Sequence, residues 1–170
     1  MARKRLIEGE INYRVDSKDV KYIRAELDDL LASNEDAIML IGSSDWGSNV
    51  LPIWIGMMEA FSIKKALGEA QFPRPLTQDL VMEIIEALSG SIEKVTIDAL
   101  LGHTYTATIY LKDRNGKIHY IDARPSDAVA IALRADAPIF VASHLYQYTK
   151  PKDAIITELD ASNIDLDMEE

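Results

Sequence analysis

Cysteine is absent from the 170-residue chain, which removes a disulfide framework, a thiolate nucleophile and any cysteine-based zinc or iron–sulfur site. A metal, if used, must take oxygen or nitrogen ligands. Also missing is a continuous apolar run of the roughly 18–20 residues that a membrane-spanning helix needs. The basic start Arg3-Lys4-Arg5 passes through Leu6-Ile7 to Glu8 rather than into an apolar signal core. Both absences lead us to expect a soluble, unexported, cytoplasmic protein with no membrane partner. Basic residues are in deficit as well, 18 against 28 acids for a formal charge of −10, the reverse of the basic patch that grips nucleic acid non-specifically. Seven of those acids fall in the last twenty residues, opposed by Lys152 alone, so residues 1–150 carry only about −4. A local basic patch is therefore still open to that part of the chain.

The length suits one domain with a sizeable core. Residues 1–19 mix charged and apolar types without period and read as an N-terminal extension. Residues 20–150 carry the periodic segments, and 151–170 form an acidic tail, expected to be a solvated terminus apart from a candidate edge element over Ala154–Leu159. Between Val20 and Leu31 a helical spacing competes with the alternation of Ile23, Ala25 and Leu27 against Arg24, Glu26 and Asp28. The apolar runs Ala37–Ile41 and Val50–Ile55 flank a turn-rich Gly42–Asn49, so a hairpin is expected. That turn lacks the Gly-x-x-x-x-Gly-Lys-Ser/Thr pattern of a nucleotide phosphate loop.

A helix with one buried face is predicted from Met57, stopped by Phe72-Pro73-Arg74-Pro75. Thr77 reads as the N-cap of a second helix, with Asp79 in its first turn and Leu80, Val81, Ile84, Ile85 and Leu88 as a core stripe. Ile92–Leu100, Thr104–Lys112 and Lys117–Ile121 read as an antiparallel meander turned by Gly102-His103 and Asn115-Gly116. Arg124-Pro125-Ser126-Asp127 opens a small, apolar helix, and Ile139–Ala142 is a last core strand. The expected class is α+β: one compact domain, a mixed or largely antiparallel sheet, and about three helices packed on it.

Leu51-Pro52-Ile53-Trp54-Ile55-Gly56, Pro73-Arg74-Pro75-Leu76-Thr77-Gln78-Asp79-Leu80, Ile121-Asp122-Ala123-Arg124-Pro125-Ser126-Asp127-Ala128 and Ala137-Pro138-Ile139-Phe140-Val141 follow one another in an order and spacing that resembles the bifunctional nuclease family. The resemblance spans roughly residues 20–150. It implies a compact α+β domain that opens with a strand over Val20–Asp29, commonly oligomeric, with DNase and RNase activity reported for some members. At Gln78 the chain departs from the family motif, which usually carries His there. An amide does not titrate near pH 7 and ligates metals poorly, so a mechanism dependent on that His is in doubt.

Hydrolysis of a phosphodiester needs an activated water and positive charge over the phosphate oxygens, commonly Mg²⁺ or Mn²⁺ on carboxylates with Arg or Lys beside it. Glu59, Asp79, Asp122 and Asp127 are the candidate metal ligands. Arg74 and Arg124 are candidate phosphate clamps, and Thr77 and Ser126 candidate hydrogen-bond donors. Asp79, Asp122, Asp127, Arg74 and Arg124 make up the candidate catalytic set. Each also has a plain structural role: Asp79 and Asp127 suit helix starts, Thr77 a cap, and Arg124 can pair with Asp122 or Asp127. His103, His119 and His144 stand in a turn, in a strand and after a strand, and suggest no Ser-His-Asp arrangement. Trp54 and the tyrosines Tyr105, Tyr110, Tyr120, Tyr146 and Tyr148 can stack bases, but they lack a regular interleaving with Lys or Arg, and strand aromatics usually pack. Two functional classes stay open: a divalent-metal-dependent nuclease acting on DNA or RNA, and a non-enzymatic, homo-oligomeric interaction or regulatory protein. A third reading, a small-ligand-binding domain, requires a pocket lined by Trp54 and the motif arginines.

Overall fold

The computed structural model describes residues 20–32 and 35–167; the N-terminal extension expected over 1–19 lies outside them. Strand β1 (Tyr22–Ala32) is followed by β2 (Asp36–Gly42), β3 (Asn49–Gly56), helices α1 (Met57–Ala66) and α2 (Thr77–Ala87), and strands β4 (Ser91–Leu101), β5 (Thr104–Lys112) and β6 (Ile118–Ala123). Helix α3 (Pro125–Ala135), β7 (Ile139–Ala142), the two-residue β8 (Lys150–Pro151) and α4 (Lys152–Asp167) complete the order. The strands form one eight-stranded sheet, β6-β5-β4-β7-β1-β2-β3-β8. Its pairings are antiparallel except for β4 with β7. The class is α+β, as the alternating runs and the NG turn led us to expect.

Strand β1 settles the competition between helical and alternating patterns. Its first half pairs with β7 through Tyr22–Ala25 and its second with β2 through Glu26–Ala32. Alternation wins because both flanks of the segment are hydrogen-bonded to strands and Ala25 must point into the core. Strand β2, Asp-Ala-Ile-Met-Leu-Ile-Gly, is apolar at successive positions because both its faces are covered. Ala37, Met39 and Ile41 join the main core against α1 and α3, whereas Ile38 and Leu40 meet Val50 and Ile155 on the opposite face.

Ile155 belongs to α4, so the terminus expected to be solvated, and its candidate edge element, are corrected. Residues Lys152–Asp167 are helical, and Lys152 Nζ anchors the start of the helix to Asp28 (2.8 Å) and Asp29 (2.9 Å) on β1. Ile155 and Leu159, four residues apart, supply the apolar stripe that covers the second face. The acids that dominate the composition of 151–170 outnumber this apolar pair, which is why a charge count pointed to a free tail.

Helix α3 is the most buried helix. Pro125 occupies its first turn, and Ala128, Val129, Ala130, Ile131 and Ala132 are all enclosed; small side chains let it approach the sheet closely. Helix α2 reverses its prediction. Thr77 is the first helical residue rather than the cap; the cap position is Leu76, which has no side-chain acceptor, and Asp79 Oδ2 instead accepts from the Leu76 N–H at 2.7 Å. No residue of α2 is buried, and the stripe read as core is exposed: Leu80, Val81, Ile84 and Leu88, the last at 70%. Periodicity identifies an apolar helix face but not what covers it.

Candidate functional site

The end of β3, the start of α1, the start of α2 and the start of α3 come together around Arg124. Helix α1 leaves β3 directly at Gly56, in extended backbone and with no side-chain cap, which brings Glu59 within one turn of the sheet. A Cβ at Gly56 would collide with Glu59 Oε2, so the glycine leaves room for the carboxylate. Arg124, the N-cap of α3, donates from Nη1 to Glu59 Oε1 (2.8 Å), from Nε to Asp127 Oδ2 (2.7 Å) and from Nη2 to Asp127 Oδ1 (3.1 Å). The fork to Asp127 is bidentate, the geometry in which guanidinium and carboxylate match best. These bonds, the Asp127 pair first and the Glu59 pair next, raise the guanidinium further above its ordinary value.

The chain of contacts continues into the protein. Gln78 Nε2 donates to Asp127 Oδ1 at 3.0 Å and Gln78 Oε1 accepts from Ser62 Oγ at 2.7 Å; Ser62 is buried on α1. Ser62, Gln78, Asp127, Arg124 and Glu59 thus form one continuous network that ties α1, α2 and α3 together. Gln78 fills its motif position with a group that donates on one side and accepts on the other, as a neutral imidazole does.

Arg124 lines three adjoining recesses, of about 500, 350 and 370 Å³. The largest runs between α1, α2 and β6 and includes Met58, Glu59, Gln78, Val81, Asp122 and Asp127. Asp122, on β6 opposite Thr108, also borders the third recess with Arg124 and Asp127. Glu59, Asp122, Asp127 and Arg124 are therefore neighbours on one cleft.

Asp79 and Arg74 are not part of it. Asp79 turns to the other side of α2, where Lys65 Nζ (2.6 Å) and Arg134 Nε (2.7 Å) donate to it. Burial pushes its carboxyl up, but the bonds from Lys65, Arg134 and the Leu76 N–H outweigh that and hold it at about 2. Arg134 is itself only 8% exposed. The trio joins α1, α2 and α3, which accounts for Asp79 without chemistry. Arg74 sits in the loop before α2, where its carbonyl faces Lys65 Nζ at 3.5 Å. Thr77 lines the largest recess and Ser126 the second. Among the described residues no group of three or more His, Asp or Glu converges as a metal cage, so the four-carboxylate set does not assemble around one point.

Sequence reading missed Ser62 and Asp98. Asp98 is buried on β4 and accepts from Tyr22 Oη (2.8 Å), Thr96 Oγ1 (2.7 Å) and Thr108 Oγ1 (2.7 Å). Burial first, and then the Asp98 charge, raise the Tyr22 phenol well above its ordinary value. A carboxylate inside the apolar run Val95–Leu101 was the available signal, because a buried acid must find donors. A basic group reaches the aromatics from a neighbouring strand: Lys94 Nζ on β4 lies 4.6 Å from the Tyr110 ring centre and 5.5 Å from that of Phe140. His119 pairs with Asp113 at 2.8 Å, and His103 borders the second recess. Among the described residues no helix is long and apolar enough to cross a membrane.

Two uncharacterized proteins of Mycobacterium tuberculosis are 46% identical to this chain over 95 residues, which is 56% of the chain and 56% of each relative. Bifunctional nuclease 2 of Arabidopsis thaliana is 29% identical over 98 residues, 56% of the chain and 30% of that protein. Bifunctional nuclease 2 of rice, Oryza sativa subsp. japonica, is 30% identical over 100 residues, 57% of the chain and 30% of that protein. The matched stretch thus spans about half the length of the mycobacterial relatives and under a third of the plant ones. The family model of the bifunctional nuclease domain matches residues 39–153, which takes in β3, both walls of the Arg124 cleft and α3. The chain belongs to the bifunctional nuclease domain family.

Proposed function

We propose that the protein is a divalent-metal-dependent nuclease that hydrolyses phosphodiester bonds of DNA or RNA at the Arg124 cleft. One observation carries this reading: an exposed guanidinium, pre-oriented by Glu59 and Asp127, stands at the meeting point of three recesses built from the family's own segments. A phosphate entering the cleft exchanges with one of the two carboxylates for the guanidinium fork, while the other keeps the arginine aimed. The released carboxylate is then free to act.

Mg²⁺ or Mn²⁺ would be held by the carboxylate so released, Glu59 or Asp127, together with Asp122 on the same cleft. Two protein carboxylates suit an ion that keeps most of its waters and takes further ligands from substrate phosphate, and do not suit a closed protein cage. When bound, such an ion supplies an activated water and charge opposite the phosphate oxygens. Gln78 is a positioning residue that fixes Asp127 and moves no proton. The test is divalent-dependent cleavage that is lost in Arg124→Ala and Asp127→Ala proteins.

The exposed stripe Leu80, Val81, Ile84 and Leu88 favours a second reading. In it the protein works as a homo-oligomer, and its role is interaction or regulation rather than catalysis. An apolar face of this kind commonly marks an association surface. A homo-oligomer with no cleavage under any divalent ion favours this reading over the first.

A further inference from the structure

The second recess, about 350 Å³, shares Glu59 and Arg124 with the largest one and is otherwise lined by different residues. Trp54, 61% exposed on β3, forms one wall. Tyr105 of β5 forms another, and its ring is fixed by an edge contact with Tyr148, centroids 6.5 Å apart and planes at 80°. Strand β8 covers only Asn49 and Val50 of β3, so Trp54 stands on a stretch of β3 that no further strand pairs on that side among the described residues. Indole is seldom left in water at this level when packing is all it does. Here it borders the same recess as the guanidinium of Arg124, and the volume falls within the range of small-ligand sites.

We infer that this recess is a stacking subsite for an unpaired nucleobase of a single-stranded polynucleotide, seated on Trp54 while the adjacent phosphate lies at Arg124. The inference rests on the phosphodiester reading of the Arg124 cleft. An aromatic face beside a cation is the combination that binds single strands with little sequence preference, because every base offers a π face and every linkage a negative charge. A base inside a duplex is already stacked and paired, and reaches such a wall only after unpairing. The subsite therefore selects single-stranded substrate, or frayed ends, over intact duplex.

Trp46 and Trp54 are the two tryptophans of the chain. Trp46 is buried, so contact quenching by an added strand reports Trp54. The full-length protein is titrated, with Mg²⁺ present, with a short single-stranded oligothymidylate carrying phosphorothioate linkages, and in parallel with an abasic oligomer of the same charge. Quenching by the base-bearing strand and not by the abasic one is expected. Trp54→Ala should weaken binding of the base-bearing strand about tenfold, leave abasic binding unchanged, and be largely rescued by Trp54→Phe. Equal quenching by both oligomers, no quenching by either, or unchanged affinity in Trp54→Ala overturns the subsite. If cleavage depends on Arg124 while Trp54 is silent, the subsite fails and the nuclease reading stands. Base-dependent quenching without cleavage leaves the subsite and removes the nuclease.

Discussion

Gln78 Nε2 lies 3.0 Å from Asp127 Oδ1, a bond between the first turns of α2 and α3 that holds the acid against Arg124. The same amide accepts from buried Ser62 on its other side. Gln78→Ala removes both partners and should cost about 1–2 kcal/mol, chiefly from the stranded Ser62 hydroxyl. Gln78→His restores a donor and an acceptor and should cost less than about 1 kcal/mol in the same denaturation experiment. If the position is purely positional, the pH–rate profile of Gln78→His will match that of the parent; an added inflection near pH 6.5 would mark a titrating group in the site.

Gly56→Ala places a Cβ against Glu59 Oε2. The backbone there is extended, so no strain is added, and stability should change by less than about 1 kcal/mol. Glu59 Oε2 must nevertheless shift, which disturbs the carboxylate that Arg124 holds. Cleavage by Gly56→Ala should therefore fall, though less than that by Glu59→Ala, measured beside a thermal melt that shows the variant intact.

The ion-pair trio of Lys65, Asp79 and Arg134 predicts an acid-dependent loss of stability. The folded value of Asp79, about 2, lies below the ordinary carboxylate value, so its contribution is fully present above about pH 4 and is lost as pH falls through the folded value. Asp79→Asn leaves the nearly buried Arg134 without its counter-charge and should cost about 2–3 kcal/mol near neutral pH. Thermal melts from pH 7 to pH 2 should show the gap between parent and variant closing as the pH drops. A gap that does not change with pH would contradict the ion-pair account.

Ile84→Glu and Leu88→Glu fall on the exposed face of α2. In a homo-oligomer closed through this face, each substitution should shift the protein to monomer in sedimentation analysis, with a change in monomer stability within about 0.5 kcal/mol. A parent protein that is already monomeric would remove the association reading.

The strands β2 to β7 and the helices α1, α2 and α3 were legible in the sequence because alternation, the Asn115-Gly116 turn and Pro125 act locally; α4 was not. Strand β2 was legible as an apolar run, but not that α4 covers its second face, since the charges of 151–170 masked the Ile155 and Leu159 pair. Helix α2 was legible as a helix and misread as core, because amphipathicity is blind to the partner. In the site, the local Arg124–Asp127 pair was legible and the wider grouping was not: only the packing of the helices sends Asp79 to Arg134 and brings Glu59 to Arg124. The link from Ser62 through Gln78 joins positions 16 apart in the chain to a third 49 further on, beyond any local pattern.

Cleavage of single- and double-stranded DNA and RNA by the parent, Arg124→Ala and Asp127→Ala proteins, each with Mg²⁺ or Mn²⁺ and with chelator, tests the central claim most directly. Arg124 is largely exposed, so Arg124→Ala should melt within about 1 kcal/mol of the parent, and Asp127→Ala, which also strands the Gln78 amide, within about 2 kcal/mol. The parent should cleave only with the divalent ion, and each variant should lose at least about a hundredfold in rate. Cleavage that persists unchanged in both variants, or a parent that cleaves nothing with either ion, contradicts it.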